Sequence, residues 1–414
     1  MKHIRITAPR SDRVKRQNDE SSLFYAGGLV ITATVIILFG LTMLYSTTSY
    51  GMSNPGSSAG VRLFYSQMVW AVIGTCSAIT VFFIGYRNLA KFGVPFMLLS
   101  VILLLIAAIF MPDIKGAHRW IRFHLPGITL SLQPSEFAKI AMALFLSQYC
   151  AEHFRNINEW SFKRGFLPGG ILCGLVVMAV IAGKDLGTAL LLAMTCGIIF
   201  FIAGLRLLYL TVPVVTLLPL LWYYIKYHDP ERWSRLTSFM TPELLQKSDS
   251  YQLWNSILAL GSGGWFGVGF MHSRLKAKYL PEAHTDFIIS IAGEELGLII
   301  TVAIIVAYLL FMYFAIKISL NARTRQGMLL GSTITILIVL QAFINIGVVT
   351  GSLPTKGMPA PFISYGGSNL VMCLTGVGLL LNIAIETTLP DFTNEFFKGV
   401  KQRLTALKIL RNQS

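Results

Sequence analysis

A cluster of ionisable side chains stands directly before a long apolar segment of the chain. Residues 279–287 read YLPEAHTDF, and the apolar segment Phe287–Ile316 follows. A carboxylate at the mouth of a membrane-length helix is costly to desolvate, so Asp286 is expected there only if chemistry or a buried partner requires it. Asp286 is therefore the first candidate for catalysis.

Three interpretations of Asp286 are open from the residues alone. It could act as a general base or stabilise a developing cation. It could bind a divalent metal together with Glu282, beside the imidazole of His284, although one short segment supplies few fixed ligands. A helix N-cap formed by Asp286 or Thr285 is the third interpretation.

The segment after Asp286 carries small residues and two further carboxylates. On an ideal helix Gly293 and Gly297 lie on the face of Asp286, which predicts a stripe of small residues with room for another helix or a substrate tail. Glu294 and Glu295 are adjacent, so they differ by about 100° around the helix. At least one of the two should therefore point into the protein interior.

Two other charged pairs lie in or beside apolar segments. Glu136 and Lys139 are three residues apart on one predicted helix face, as in an ion pair. They either brace neighbouring helices, or Lys139 faces an anionic substrate. Lys184 and Asp185 occupy a very short turn between two apolar segments, which is either a binding element or a solvated hairpin.

The composition indicates that lipid is the solvent for most of the chain. Of 414 residues 54% are hydrophobic and 13% charged, with a mean hydropathy of +0.64. A bilayer crossing needs roughly 17–25 residues, and eight uncharged segments qualify together with two that carry charge. These ten spans predict an all-α polytopic membrane protein. The predicted spans are Leu23–Leu44, Leu63–Ile84, Phe92–Met111, Glu136–Cys150, Gly165–Gly183, Leu186–Leu205, Leu207–Ile225, Phe287–Ile316, Met328–Thr350 and Gly357–Ile385.

The basic residues predict the orientation of the ten helices. Lys and Arg concentrate in both tails and in the loops on the same side, which places both termini in the cytoplasm. We expect a basic tail over 1–22, a transmembrane domain over 23–385 with a large extracytoplasmic loop over about 226–285, and a second cytoplasmic tail over 386–414. The net charge of +15 is then explained by topology and by anionic lipid, and a nucleic-acid partner is excluded. The five cysteines are expected to be packing residues.

The large loop contains an amphipathic stretch, Tyr251–Leu260, followed by the glycine-rich stretch 261–269. This pattern predicts a helix at the membrane interface and then a tight, closely packed turn. A phosphate-cradling loop is the alternative, but no strand precedes the glycines and no lysine closes them.

Several segments together resemble the SEDS family (shape, elongation, division and sporulation) of ten-helix bacterial membrane proteins. The resemblance spans essentially the whole membrane region, and PEAHTD with PTKG resembles the division branch more than the elongation branch. The segments are KGAHRWI at 115–121, LQPSEFAK at 132–139, DLGT at 185–188, LPEAHTDFI at 280–288 with GEELG at 293–297, and PTKG at 354–357 with SYGGS at 364–368. Lys184 stands where the family usually has Pro, and Arg274–Lys278 is only an approximate match.

The resemblance implies a septal peptidoglycan glycosyltransferase of the cytoplasmic (inner) membrane, which polymerises lipid II during cell division and releases undecaprenyl diphosphate. It implies Asp286 as the catalytic residue. It also implies a cognate class B penicillin-binding transpeptidase and other divisome proteins as partners, with Mg²⁺ or Mn²⁺ as candidate cofactors. A lipid II flippase and a non-catalytic divisome scaffold are the alternatives. The residues expected to bind substrate are Lys115, Arg119, Glu136, Lys139, Asp185, His284 and Lys356.

Overall fold

The computed structural model describes residues 10–49, 59–112, 119–125, 128–161, 165–228, 251–277, 280 and 282–390, with isolated positions at 233–239 and 392–398. These segments contain twelve α-helices, one β-hairpin and two short 3₁₀ helices, Phe154–Asn156 and Leu275–Ala277. The helices are α1 (Arg10–Ser49), α2 (Ala59–Ile84), α3 (Tyr86–Ala90), α4 (Gly93–Phe110), α5 (Pro134–Glu152), α6 (Phe166–Ala182), α7 (Leu186–Ile202), α8 (Leu207–His228), α9 (Tyr251–Ser262), α10 (Ile288–Leu320), α11 (Arg325–Val349) and α12 (Gly367–Thr388). Lys115 lies outside the described residues.

The prediction of an all-α polytopic membrane protein is confirmed. Six helices are long and apolar enough to cross a membrane, namely the apolar parts of α1 and α2 together with α4, α10, α11 and α12. Helices α6 and α7 and the first part of α8 are shorter apolar helices. Helix α5, which carries Glu136 and Lys139, completes the set of ten predicted spans, each of which contains a helix.

Helix α1 begins at Arg10, and its candidate membrane span, Ser21–Thr48, is close to the predicted Leu23–Leu44. One predicted boundary is wrong. The last span was expected from Gly357, but α12 begins at Gly367. Residues 357–366 form a loop instead, because Pro359 and Pro361 supply no backbone N–H group. The sequence of this loop is apolar, and for this reason it was predicted as part of a membrane span.

The helices run up and down, so their ends form two faces. One face contains the end of α1, the start of α5, the α6–α7 turn, the start of α10 and the loop before α12. The Ser46 hydroxyl there bonds Glu295 at 2.6 and 2.8 Å. We call it the site face. At the opposite face the Tyr86 hydroxyl lies 2.7 Å from Thr324 Oγ1, and the Ser22 hydroxyl donates to the Ala384 carbonyl.

A short hairpin leads into α5 at the site face. Strand β1 (Ile121–Leu125) pairs antiparallel with β2 (Ile128–Leu132), and Ile121 lies opposite Leu132. The Ser368 hydroxyl donates to the Ser131 carbonyl and accepts from the Gln133 N–H group. The start of α12 therefore fixes the end of the hairpin and the first turn of α5.

Helix α10 is broken at Gly297, and a glycine-rich segment packs into the break. Gly297 has φ 78° and ψ −176°, a conformation that favours glycine. The N–H groups of Val268 and Gly269 donate to the carbonyls of Glu294 and Glu295, and that of Leu298 donates to Gly264. A Cβ atom on Gly267 would lie 2.2 Å from the Glu295 carbonyl oxygen. We call residues 263–277 the inserted segment.

This packing answers two of the sequence predictions. Helix α9 and the tight, closely packed turn after it are confirmed. The N–H groups of Gly267, Val268 and Gly269 all bond main-chain carbonyls, so these three are not available to cradle a phosphate. Leu260 of α9 packs against Gly293 and the inserted segment packs against Gly297, so the room expected at these small residues for another helix is taken by α9.

Candidate active site

Asp286 lies in a turn, before α10 begins. The turn spans residues 282–287, in which the Thr285 and Phe287 N–H groups both bond the Glu282 carbonyl. Phe287 is the N-cap residue of α10 and makes no side-chain cap, so the N-cap interpretation of Asp286 and Thr285 is wrong. The half-buried Asp286 also lies off the helix that would have placed it above Gly293 and Gly297.

Hydrogen bonds from two other elements hold the backbone of this turn. The Asn345 side-chain amide on α11 donates to the Asp286 carbonyl and to the Met358 carbonyl, each at 2.8 Å. The Ser364 hydroxyl donates to the Thr285 carbonyl at 2.5 Å, and the Tyr365 N–H group donates to the His284 carbonyl. Asp286 is therefore fixed against the loop that precedes α12.

The connection between α11 and α12 contains Lys356, and we call it the Lys356 loop. It lies between the Asp286 turn and the first turn of α7. A Cβ atom added to Gly357 would lie 3.0 Å from Asp286 Oδ2, and one added to Gly187 would lie 3.2 Å from Met358 Cγ. Burial lowers the pKa of Lys356, and the negative charge of Asp185 opposes that shift. The Lys356 loop therefore lies between the carboxylates of Asp185 and Asp286.

Asp185 caps α7 and accepts three hydrogen bonds, two from Thr188 and one from Gln133. It is 4% exposed and accepts from the Thr188 N–H group at 3.2 Å, from the Thr188 hydroxyl at 2.9 Å and from the Gln133 amide at 3.2 Å. The solvated-hairpin interpretation is therefore wrong for Asp185. Lys184 is exposed with φ 60°, a value that the ring of a proline would exclude.

Arg119 approaches the same turn from the other side. Its Nη2 donates to the Lys184 carbonyl at 2.7 Å, and its Nη1 lies 3.8 Å from Asp185 Oδ1. Its buried Nε has no hydrogen-bond partner among the described residues. A small cleft runs between Arg119, Asp185 and Ser135. Arg119, Asp185, Lys356 and Asp286 therefore form one polar region on the site face.

The predicted Glu136–Lys139 pair lies beneath this region and is buried. Lys139 Nζ is 2.7 Å from Glu136 Oε1 and 2.7 Å from Gln341 Oε1, and Lys139 is 1% exposed. The Asn369 amide donates to the other oxygen of Glu136. The pair braces α5 against α11 and α12, which favours the brace interpretation over direct contact with an anionic substrate.

A second buried ion pair anchors the inserted segment, and sequence reasoning missed it. Lys276 Nζ lies 2.6 Å from Glu295 Oε1, with both side chains almost fully buried. It also donates to the Met271 carbonyl at 2.8 Å and to the Ser46 hydroxyl at 3.1 Å. Glu294 is buried as well and accepts from the Ser273 hydroxyl and the Arg274 N–H group. The prediction that at least one of these glutamates points inward is confirmed.

A sequence model of the FtsW/RodA/SpoVE family, described as a cell cycle protein family, matches residues 28–389. The chain belongs to the FtsW/RodA/SpoVE family. Its relatives include a probable peptidoglycan glycosyltransferase FtsW of Geobacter metallireducens, 37% identical over 360 residues that cover 86% of this chain and 93% of the relative. Stage V sporulation protein E of Bacillus subtilis is 33% identical over 363 residues, which cover 86% and 96%.

Solved structures agree with this assignment to the FtsW/RodA/SpoVE family. One is a chain of a peptidoglycan synthase complex that coordinates polymerization and crosslinking, with a TM-score of 0.71, 25% identity and coverage of 87% of this chain and 97% of that chain. Another is the rod shape determining protein RodA of Thermus thermophilus, with a TM-score of 0.62, 25% identity and coverage of 87% and 96%. The predicted resemblance is confirmed.

The substrate contacts expected for this FtsW/RodA/SpoVE member stay predictions. Gly357, next to Lys356, borders Asp286, whereas Arg119 and Asp185 lie at the start of α7, which Met358 approaches at Gly187. The His284 ring lies 5.9 Å from the Tyr365 ring. No three His, Cys, Asp or Glu side chains within the described residues are grouped to hold a metal ion. The residues present there do not form a complete protein-held metal site, even with Glu282 in the same turn as Asp286.

Proposed function

We propose that this chain is a peptidoglycan glycosyltransferase that polymerises lipid II during bacterial cell division. Membership of the FtsW/RodA/SpoVE family and the names of the relatives support the reaction class. The observation that carries the proposal is the position of Asp286. Its half-buried carboxylate borders Gly357, next to the cation Lys356 and within the same polar region as Arg119.

Asp286 acts as the general base in this mechanism. It takes the proton from the acceptor sugar hydroxyl, and the resulting oxygen nucleophile attacks the anomeric carbon of the donor glycan. A new glycosidic C–O bond forms as the bond from the anomeric carbon to the diphosphate oxygen breaks, with inversion. The electron pair of that bond leaves with undecaprenyl diphosphate. The main-chain anchors at Thr285 and Asp286 hold the base in place during this step.

Arg119 and Lys356 stabilise the charge that develops on the leaving diphosphate. Both cations lie on the site face, where a diphosphate between a membrane tail and a sugar would be located. Asp185 positions both, since Arg119 Nη1 lies 3.8 Å from it and its charge acts on Lys356. Lys139 supports the Lys356 loop through Gln341, whose side-chain amide donates to the Pro359 carbonyl.

The same proposal places the protein at the division septum, in the inner membrane, with both tails in the cytoplasm and the site face outside. Its partners are lipid II, a cognate class B penicillin-binding transpeptidase and other divisome proteins. The structural similarity to a chain of a peptidoglycan synthase complex supports a partner of this kind. The basic N-terminal and C-terminal tails support the orientation.

Purified full-length protein tests the reaction with labelled lipid II, alone and together with the cognate transpeptidase. We expect glycan strands from the native protein and a loss of about 10²–10⁴-fold in rate for Asp286→Asn, which removes the base and keeps the shape of the side chain. Glu152→Gln is the control, because Glu152 is an exposed carboxylate at the other end of α5.

Three outcomes separate the proposal from its rivals. Normal polymerisation by Asp286→Asn would show that this carboxylate is not the base. Transbilayer movement of labelled lipid II without glycan product would identify a flippase. Full complementation of division by a stably expressed Asp286→Asn variant would indicate a scaffold.

A further inference from the structure

A second cavity lies at the end of the bundle opposite Asp286. It has a volume of about 210 Å³ and opens between the turn that contains α3 and the chain that follows α12. A single water needs only about 10–15 Å³ by this kind of measure, so the cavity can hold a larger polar group. Its lining residues are Gly85, Arg87, Asn88, Lys91, Glu386, Pro390 and Thr393.

The cavity carries an excess of positive charge. Arg87 Nε lies 2.9 Å from Glu386 Oε2, and Glu386 is 4% exposed, so this carboxylate orients the guanidinium group. Lys91 lies at the exposed rim, where its ammonium group donates to the Asn88 side-chain oxygen at 3.3 Å. Two cations against one carboxylate give a lining with a formal charge of +1, which selects an anionic group.

The close packing of Gly85 and Thr393 closes one wall. Gly85 has φ 83°, and a Cβ atom added to it would lie 2.8 Å from Thr393 Oγ1. The Thr393 hydroxyl in turn donates to Glu386 at 3.4 Å. A glycine at position 85 therefore allows the chain after α12 to approach the α2–α3 connection, and the cavity forms between them.

Aromatic side chains come from the same two stretches of chain that line the cavity, namely Phe82 and Phe83 before Gly85, and Phe392 and Phe396 on either side of Thr393. The rings of Phe83 and Phe396 stack at 4.6 Å, and those of Phe82 and Phe392 lie 5.7 Å apart. Helix α2 ends at Ile84, so these rings lie where the chain leaves the hydrocarbon region. Aromatic rings are enriched at this depth of a bilayer. A ligand that fits both surfaces has an anionic head and an apolar chain.

We infer that this cavity binds the headgroup of an anionic phospholipid from the leaflet at that end of the bundle. Arg87 and Lys91 contact the phosphate, and the phenylalanine rings contact the first carbons of the acyl chains. The inference rests on the cavity, its charge and its aromatic border, so it stands independently of the glycosyltransferase proposal. A soluble phosphate would use the same cations but would gain nothing from the rings.

Native mass spectrometry of the full-length protein in detergent tests whether the cavity binds an anionic phospholipid. The probe is dioleoylphosphatidylglycerol. We expect Lys91→Glu to weaken binding of the first lipid about thirtyfold, the factor for a change of two unit charges beside an anionic headgroup. Lys91 is exposed, so the substitution leaves the Arg87–Glu386 pair in place and should not prevent folding. Dioleoylphosphatidylcholine should bind weakly to both proteins.

Lys317→Glu is the matched control. Lys317 lies at the same end of the bundle and also beside an aromatic ring, 5.7 Å from the centre of Tyr313, but it does not line the cavity. Equal losses in the two variants would mean that only general surface charge attracts the lipid, and the inference would be wrong. Displacement of the lipid by millimolar inorganic phosphate would assign the cavity to a free anion. Arg87→Ala with Glu386→Ala, which removes both members of this ion pair together, should weaken binding as well.

Discussion

Two ion pairs within the described part of the chain are buried on both sides, and they are built in different ways. Glu136 and Lys139 lie three positions apart on one helix and 2.7 Å apart in space. Lys276 and Glu295 come from the inserted segment and from α10, and they lie 2.6 Å apart. The geometry of α5 alone brings the first pair together, whereas the second forms only after the inserted segment has packed into the break at Gly297. The first pair therefore reflects local structure, and the second reflects the assembly of the site face.

The two pairs also differ in what remains when the lysine is removed. Without Lys139, Glu136 keeps one neutral donor, the Asn369 amide, and Gln341 Oε1 loses the ammonium group as donor. Without Lys276, Glu295 keeps the Ser46 hydroxyl and the Met271 and Ser273 N–H groups. A buried carboxylate with three donors is better stabilised than one with a single donor. The local pair should therefore be the more sensitive of the two.

The largest expected effect is that of Lys139→Met. The substitution leaves a nearly unpaired carboxylate in the core, and we expect a loss of about 3–5 kcal/mol in the free energy of unfolding. Unfolding of the purified protein by sodium dodecyl sulfate in mixed micelles measures it. Lys139→Met combined with Glu136→Gln should recover part of the loss, because the charge is then absent. No recovery would mean that packing, and not the unpaired charge, sets the cost.

Gly297→Ala comes second and tests whether the second pair depends on the break in α10. The added Cβ atom would lie 2.5 Å from Gly267 N and Trp265 O, at a φ of 78°. Strain of this kind costs about 1–3 kcal/mol, and the clash adds to it, so the inserted segment should be displaced. Faster proteolysis within 263–277 would report that displacement. Gly261→Ala is the control, since a Cβ there meets nothing within 4 Å; equal effects would contradict the close packing.

Lys276→Met should cost less than Lys139→Met, about 1–2 kcal/mol in the same unfolding assay. Three donors still serve Glu295, but the link from the inserted segment to the end of α1 is lost. We expect the activity to fall more than the stability, with the kcat lowered and rescue by Lys276→Arg, because the segment leads directly to the Asp286 turn. A stability loss equal to that of Lys139→Met would remove the proposed difference between the pairs.

The sequence predicts one of these two ion pairs and does not predict the other. Long apolar segments predict the membrane helices, and each of the ten predicted spans contains a helix; helical spacing likewise predicts the Glu136–Lys139 pair. The Lys276–Glu295 pair was not visible, because its members are 19 positions apart and meet only through a broken helix. The start of α12 was misplaced because the loop at 357–366 is apolar, although its prolines and the left-handed Phe362 prevent a helix.

The smallest expected effect concerns Lys356. Its ammonium group lies farther from its partner, Asp185, than the two members of either buried ion pair lie from each other. Burial lowers its pKa, and Asp185 raises it. Asp185→Asn keeps an N-cap residue for α7 but removes the negative charge. The pKa of Lys356 should then fall further, so the alkaline limb of the pH profile of polymerisation moves to lower pH. Glu152→Gln should leave the profile unchanged. A shift to higher pH would show that Asp185 does not stabilise the ammonium form, and an unchanged limb would show that Lys356 does not control it.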